Sequence, residues 1–457
     1  MQTSWRTAHR TICGAVSAPA KKAEELSSTS TESDMRELRK QKAADLRAAG
    51  KDPYAYSFSR THFAADLHKQ FEELPAGQAA ETDPVSVAGR VRARRVLGKL
   101  AFISIEDDSG SIQLYVDKKA LDGQEENAFK NMKVVLDMGD IVGATGGIRR
   151  TDKGELSVTA NSLQILTKSL RPLPEKWHGL SDLEKRYRQR YVDMIVTEGV
   201  RDTLRARSTV CSAMRRLLES RGFLEVETPV LEATAGGADA RPFVTYHNAL
   251  SRSFTLRIAT ELHLKRMVVG GFERVFEIGR IFRNEGVSTR HNPEFTSVEL
   301  YQAYADYHDM MNLTEELIEA CSMAVLGTGD ITYQEDSLSL KAPFRRATMH
   351  ELVQEATGVD LDSFYGDVEA ARGAAREAIQ KLDLPVGEIN DAPTLGHLLN
   401  ACFEAAVEAT LIQPTFVMDY PIEISPLAKK HRSRPGLVER FELFIAGVLL
   451  WYLQPQL

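Results

Sequence analysis

Between Val275 and Tyr304 two apolar runs flank a polar loop: VFEIGRIF, then RNEGVSTRHNPE, then FTSVELYQAY. Gly286 and Pro293 punctuate the loop, so the stretch reads as a long-looped antiparallel hairpin. A hairpin of this kind requires a sheet around it, which constrains the fold more than any other segment does. It also carries chemistry. Arg283, Asn284 and Glu285 end the first run, His291 lies in the loop, and Phe295, Glu299 and Tyr301 stand on the second run. Paired strands hold such groups more rigidly than a loop would, which suits a site for an anionic, planar ligand.

The rest of the chain bounds what surrounds this hairpin. At 457 residues two or three domains are expected. A 43% hydrophobic and 26% charged composition is that of a soluble globular protein. With a net charge of −7, any nucleic-acid surface must concentrate its basic residues locally. Cys13, Cys211, Cys321 and Cys402 are isolated, with no CxxC pair, which excludes a zinc ribbon and a disulfide framework and fits a reducing compartment. No apolar run is long enough to span a bilayer, so no membrane partner is expected.

Along the chain, residues 1–34 read as a transit peptide or a disordered tail. The first 23 hold Arg6, Arg10, Lys21 and Lys22 and no acid, the composition of an organelle address. The expected location is therefore mitochondrion or plastid if this segment is a transit peptide, and cytoplasmic otherwise. Met35–Gly50 has the pattern of a charged helix ending on Gly, and by itself reads as solvated. From Val85 to Thr167, short alternating runs separated by Gly-rich turns predict a small five-stranded β-barrel of the OB-fold type, closing a domain at 35–169. Arg90, Arg92, Arg94, Arg95 and Lys99 form an acid-free basic stripe on it, Phe102 can stack on a base, and Gln113 and Glu155 can bond base edges. A Pro-rich crossing and the basic SDLEKRYRQRYVDMIV make a junction at 170–199, and an α/β region follows from 200 to 457. There Val200–Gly222 is helix-patterned, TAGGADARPF puts two glycines beside an Asp and an Arg, and Tyr304 reads as core.

The wording FRNEG, RHNPEFT and ELYQAYAD resembles motif 2 of the class II aminoacyl-tRNA synthetases, and within them the lysine-specific family. The 200–230 helix and strand are similar to motif 1, the dimer-forming unit. The fold this resemblance implies is α+β: an OB-fold barrel that reads the anticodon, followed by a catalytic domain built on an antiparallel sheet. The activity it implies is lysine–tRNA ligation, with lysine activated by ATP and transferred to tRNA(Lys). By the same resemblance Arg283 is the catalytic cation on the α-phosphate; Glu285, His291 and Phe295 join it in binding ATP; and Gly237 and Glu261 receive the lysine α-amino group. Glu299 and Tyr301 select the side-chain ammonium, and Phe102, Gln113 and Glu155 contact the anticodon. Glu442 would ligate magnesium, and a homodimer is implied. An aspartyl- or asparaginyl-specific enzyme fits less well, since Glu299 would repel an acidic substrate.

After Gly447 the chain reads VLLWYLQPQL, whereas the family continues with an Arg-Glu pair, a second lysine-selecting acid and motif 3 with its arginine. The resemblance covers about 35–447, and Leu449 stands where a second magnesium-binding glutamate is expected. The expectation is a catalytic domain incomplete after about 447, with an exposed apolar end at FELFIAGVLLWYL and a weak magnesium site. The alternative function is then a catalytically impaired relative that binds tRNA or dimerises.

Overall fold

Alternation of apolar and polar residues along the strands builds the barrel in the first part of the protein, seen in a computed structural model that describes residues 31–174, 180–288, 291–364 and 366–453. Strands β1 (Val85–Leu97), β2 (Leu100–Glu106), β3 (Ser111–Asp117), β4 (Ile141–Arg150) and β5 (Leu156–Thr167) close a barrel in the order β1-β2-β3-β5-β4. Every second residue faces inward, so Val91, Ile103, Leu114, Val142 and Val158 are fully buried. Only β3–β5 is a parallel pair. The barrel closes tightly at Gly146, where a Cβ would collide with the Thr159 carbonyl.

The helix Glu32–Ala48 starts from a Thr31/Asp34 capping box. It corrects the reading of a solvated helix, because one face is docked on the barrel. Arg39 is buried and donates to the carbonyls of Met138, Ser169 and Arg171 at 3.2, 3.0 and 3.1 Å. Lys42 pairs with Asp137 at 2.7 Å. Beneath it the fully buried Lys168 donates to Asp140 at 2.7 Å and Asp137 at 2.5 Å. Burial raises the Asp137 carboxyl, but Lys168 and Lys42 outweigh it and hold the group below its ordinary range.

The chain divides between Glu198 and Gly199 into two compact units. In the second, β6 (Leu224–Glu225), β10 (Arg274–Phe282) and β11 (Glu294–Gln302) form one sheet, ordered β11-β10-β6. β7 (Leu231–Glu232), β8 (Val244–His247) and β9 (Arg252–Leu256) form a smaller one. β12 (Asp330–Tyr333) and β13 (Asp336–Ser339) make a hairpin, and β14 (Arg345–Thr348), β15 (Thr415–Pro421), β16 (Leu437–Ile445) and β17 (Val448–Leu453) make a four-stranded sheet. Pairing is antiparallel except at β10–β6 and β14–β15.

One apolar cluster joins Leu218 of the Val200–Ser220 helix, Phe276, the Tyr307–Leu326 helix, Phe416 and Phe441. A second gathers the helices Met349–Thr357, Val368–Lys381 and Leu395–Ala406 against Val417 and Phe444. The run Phe441–Ile445, expected to be exposed, is therefore buried: β16 lies between β15 and β17 and feeds both clusters. Tyr304, expected in the core, is 94% exposed. The ladder ends at Gln302, and Tyr304 takes a left-handed φ of 60° that carries it out of the sheet.

Candidate functional site

The predicted hairpin is present, and its register decides which groups meet. Opposite pairs run Val275–Tyr301, Glu277–Glu299, Gly279–Ser297 and Ile281–Phe295. Paired residues share a face, so these eight line one side of the sheet. The alternate residues Phe276, Ile278, Val298 and Leu300 belong to the apolar cluster on the other side. A period of two thus separates a polar working face from an anchored one.

At the loop end of that face, Arg283 lies over the Phe295 ring, 5.3 Å from guanidinium carbon to centroid. Its backbone N–H donates to Pro293 at 2.9 Å, which fixes the mouth of the loop. Glu285 is exposed and accepts from the Arg241 N–H at 3.4 Å, while the Asn284 N–H donates to the Arg241 carbonyl at 2.7 Å. The ARPF segment is in this way tied to the FRNE segment. His291 is exposed and within 2.9 Å of the Ser288 hydroxyl through Nδ1; Thr289 and Arg290 lie outside the described residues.

At the other end of the face Glu299 is half-buried and accepts from the Thr260 N–H at 3.0 Å. Burial pushes its carboxyl above the ordinary range, the Thr260 bonds oppose this, and the nearby Glu261 and Glu277 add to it. Glu261 opens the helix Glu261–Val269 and accepts from Lys265 at 2.8 Å. Lys265 lies 5.7 Å from the Tyr301 ring centroid. Gly237 comes so close that a Cβ on it would be 3.2 Å from those of Ala259 and Glu261. The structure therefore gathers Gly237, Glu261, Glu299 and Tyr301 around one helix start, and Arg283 with Phe295 at the other end of the same hairpin.

Sequence reasoning missed two further charged pairs at this site. Arg257 and Glu277 form a buried ion pair at 2.6 Å. Glu232, on β7, and His263, in the Glu261–Val269 helix, form a second close pair at 2.6 Å. An Arg inside FTLRIAT and a Glu inside VFEIG are charges within apolar runs, the one signal that could have drawn attention to them.

Glu442 lies on a different sheet, on β16, and both its oxygens are engaged. Oε2 accepts from the Tyr420 hydroxyl at 2.9 Å and Oε1 from Arg440. It lines a cavity of about 280 Å³ with Tyr420, Arg440, Glu404, Glu408 and Phe403. Burial pushes its carboxyl up. Among the described residues no group of three or more His, Cys, Asp or Glu side chains is arranged to hold a metal.

On the barrel, Phe102 is half-buried on the outer face and meets Tyr115 edge-on at 5.5 Å. Arg149 covers the Tyr115 ring at 4.5 Å. Gln113 donates to Ser157 Oγ at 2.8 Å, and Glu155, two residues before Ser157, is exposed. Phe102, Tyr115, Gln113 and Arg149 are register neighbours on one face. The basic stripe is less free than its sequence implies. Arg90 donates to the Gly139 carbonyl, Arg92 pairs with Glu106 at 3.0 Å, and Arg94 donates to Lys133 and Leu136 carbonyls.

An OB barrel followed by a largely antiparallel catalytic sheet with a cationic, acid-bearing hairpin defines a class. Residues 182–450 match the family of tRNA synthetases class II (D, K and N), and residues 85–166 match the OB-fold nucleic acid binding domain. The chain is 58% identical over 418 residues to the lysine–tRNA ligase of Thermosynechococcus vestitus, an alignment spanning 91% of this chain and 81% of that one. It is 57% identical to the lysine–tRNA ligase of a Nostoc species, over 91% of this chain and 74% of the relative. It is 56% identical to that of a Prochlorococcus marinus strain, over 91% and 82%. The chain belongs to the class II tRNA synthetases, in the lysine–tRNA ligase family.

Proposed function

We propose that this protein is a lysine–tRNA ligase that activates lysine with ATP and esterifies tRNA(Lys). The observation that carries this is the placement of Glu299 and Tyr301, two residues apart on one strand, on the same hairpin face as Phe295 and the Arg283 that covers it. A cation beside a ring suits a nucleotide phosphate and base, and a half-buried acid suits an ammonium.

In the reaction a lysine carboxylate oxygen attacks the α-phosphorus of ATP. The bond from that phosphorus to the β-phosphate oxygen breaks, and pyrophosphate leaves. A ribose hydroxyl at the tRNA 3′ end then attacks the mixed anhydride, and AMP leaves. Positioning and charge neutralisation are what a protein can add to such a transfer. In this reading Arg283 neutralises the α-phosphate, with Phe295 beneath the adenine, Glu285 at its amino group and His291 towards the phosphates. Gly237 and Glu261 receive the α-amino group, while Glu299 and the Tyr301 hydroxyl receive the ε-ammonium. Phe102, Gln113 and Glu155 would meet the anticodon, with Tyr115 and Arg149 extending that face.

Magnesium would arrive on the ATP phosphates. Glu442 does not fit as its ligand while Arg440 and Tyr420 hold both oxygens. A homodimer is supported by exposed apolar residues in the second unit: Leu204 on the 200–220 helix, Leu224 just after it, and Leu231, Val244 and Tyr246 on the small sheet. An organellar address is supported by the basic, acid-free first 23 residues; residues 1–30 lie outside the described part.

The function is tested by lysine-dependent ATP–pyrophosphate exchange and by charging of tRNA(Lys) with the whole chain. Exchange stimulated by lysine and by no other amino acid is the expected result; none with lysine overturns it. Sedimentation checks the dimer, and a reporter fused to residues 1–34 that stays in the cytosol would overturn the address.

A further inference from the structure

The buried charges beneath the hairpin are more elaborate than a sheet needs. Arg257 and Glu277 are 3% and 5% exposed. Arg257 Nη1 donates to Glu277 Oε1 at 2.6 Å and to the carbonyl and hydroxyl of Thr228 at 3.1 Å each. Its Nε donates to the Arg280 carbonyl at 2.9 Å. The other Glu277 oxygen accepts from the Thr228 hydroxyl at 2.6 Å and N–H at 3.2 Å. Gly279 leaves the room this requires, since a Cβ there would strike the Arg257 guanidinium. A buried ion pair is weak evidence of a stability role, because apolar residues of the same volume often do as well.

Two links connect the pair to the amino-acid end of the site. Glu277 is directly opposite Glu299 in the hairpin, on the same face. Arg257 stands three residues before Thr260, whose N–H holds Glu299. The 257–260 segment is also pinned at its start, where the Arg257 N–H donates to Val230 and its carbonyl accepts from Phe282.

We propose that Arg257, through its pair with Glu277, is a positioning residue that sets the charge and placement of Glu299 for the substrate's side-chain ammonium. This rests on the reading of Glu299 given above. Two acids act directly on Glu299: Glu277, opposite it in the register, and Glu261, from the helix packed on the hairpin. Each is bonded to a cation, Glu277 to Arg257 and Glu261 to Lys265. His263 on that helix is taken up by Glu232. Two acids beside a third would drive a proton onto it; the Arg257 charge is the fixed counterweight from below. Held against Glu277, that charge favours the anionic form of Glu299 that the lysine ammonium requires.

The test is lysine binding by calorimetry on the full chain as a function of pH, with pyrophosphate exchange alongside. Arg257→Gln should weaken lysine binding more at acidic than at alkaline pH, by up to about tenfold where Glu299 is mostly protonated, the effect of a one-unit shift in its titration, and affinity should recover as pH rises. The lysine KM should move while kcat stays within a few-fold. Glu277→Gln should move the pH profile the other way, and Arg257→Gln with Glu277→Gln should restore it. The double variant also covers the case in which Arg257→Gln alone does not fold. A loss of affinity that is equal at every pH, or profiles that do not move in opposite directions, overturns the proposal. Glu299→Gln separates the two readings: if it leaves lysine affinity intact, the assignment of Glu299 fails and this inference with it. If it abolishes affinity while the Arg257 and Glu277 profiles stay still, only the inference fails.

Discussion

The Arg283 guanidinium lies over the Phe295 ring, 5.3 Å from carbon to centroid, because Phe295 pairs with Ile281, two residues before the arginine. The strand register itself puts cation and ring together. Arg283→Lys keeps the charge but loses the flat, forked donor that bonds two phosphate oxygens. We expect kcat/KM for ATP in pyrophosphate exchange to fall about 100-fold or more, the scale for one lost transition-state donor. Lysine affinity should stay unchanged, which binding without ATP will check.

Gly237 has φ +88°, and a Cβ on it would lie 3.2 Å from those of Ala259 and Glu261. Gly237→Ala therefore strains the turn by roughly 1–2 kcal/mol and presses on Glu261. The expected outcome is a raised lysine KM with nearly unchanged kcat and a melting temperature a few degrees lower.

Glu299 takes its proton more readily in the folded protein than in the unfolded chain, whose ordinary value is 4.5, because burial and two neighbouring acids disfavour its charge. The native state thus binds this proton more tightly. Stability from this group is present at pH below 4.5 and is lost as pH rises through the raised folded value. Glu299→Gln should melt higher than the parent protein at neutral pH, and the two should converge at about pH 4. A melting difference that does not change with pH would contradict this.

Phe102 and Tyr115 meet edge-on on the outer face of the barrel, with Arg149 over Tyr115. Phe102→Ala should weaken binding of an anticodon stem-loop by roughly 1–3 kcal/mol, the value of one stacked base. Pyrophosphate exchange, which needs no tRNA, should be unaffected. Equal loss of both would indicate damage to the fold instead.

The hairpin was legible because its signal is local. Apolar runs, a Gly and a Pro mark where strands end, and a period of two marks which residues share a face. The barrel was legible for the same reason, strand by strand from Val85 to Thr167. The docking of the Glu32–Ala48 helix was not. Its charged pattern is that of a solvated helix, and only the carbonyls of Met138, Ser169 and Arg171 give Arg39 a reason to be buried. Tyr304 misled for a related reason: an aromatic just past a strand looks like core until the backbone turns it outward. The basic stripe on β1 also read as freer than it is, since Gly139, Leu136 and Glu106 come to it from other strands and loops.

By itself the sequence determined the order of units, the strands of the barrel and the hairpin, and the chemical identity of the groups on the hairpin, since all of these depend on residues close together in the chain. Tertiary structure alone decided the state of those groups. It set Glu277 against Glu299, bonded Arg257 to Glu277, and drew Gly237 up to Glu261. It also closed Tyr420 and Arg440 over Glu442. The physical reason is that charge and placement depend on what is buried beside a group, and burial comes from segments that packing brings together across long stretches of chain.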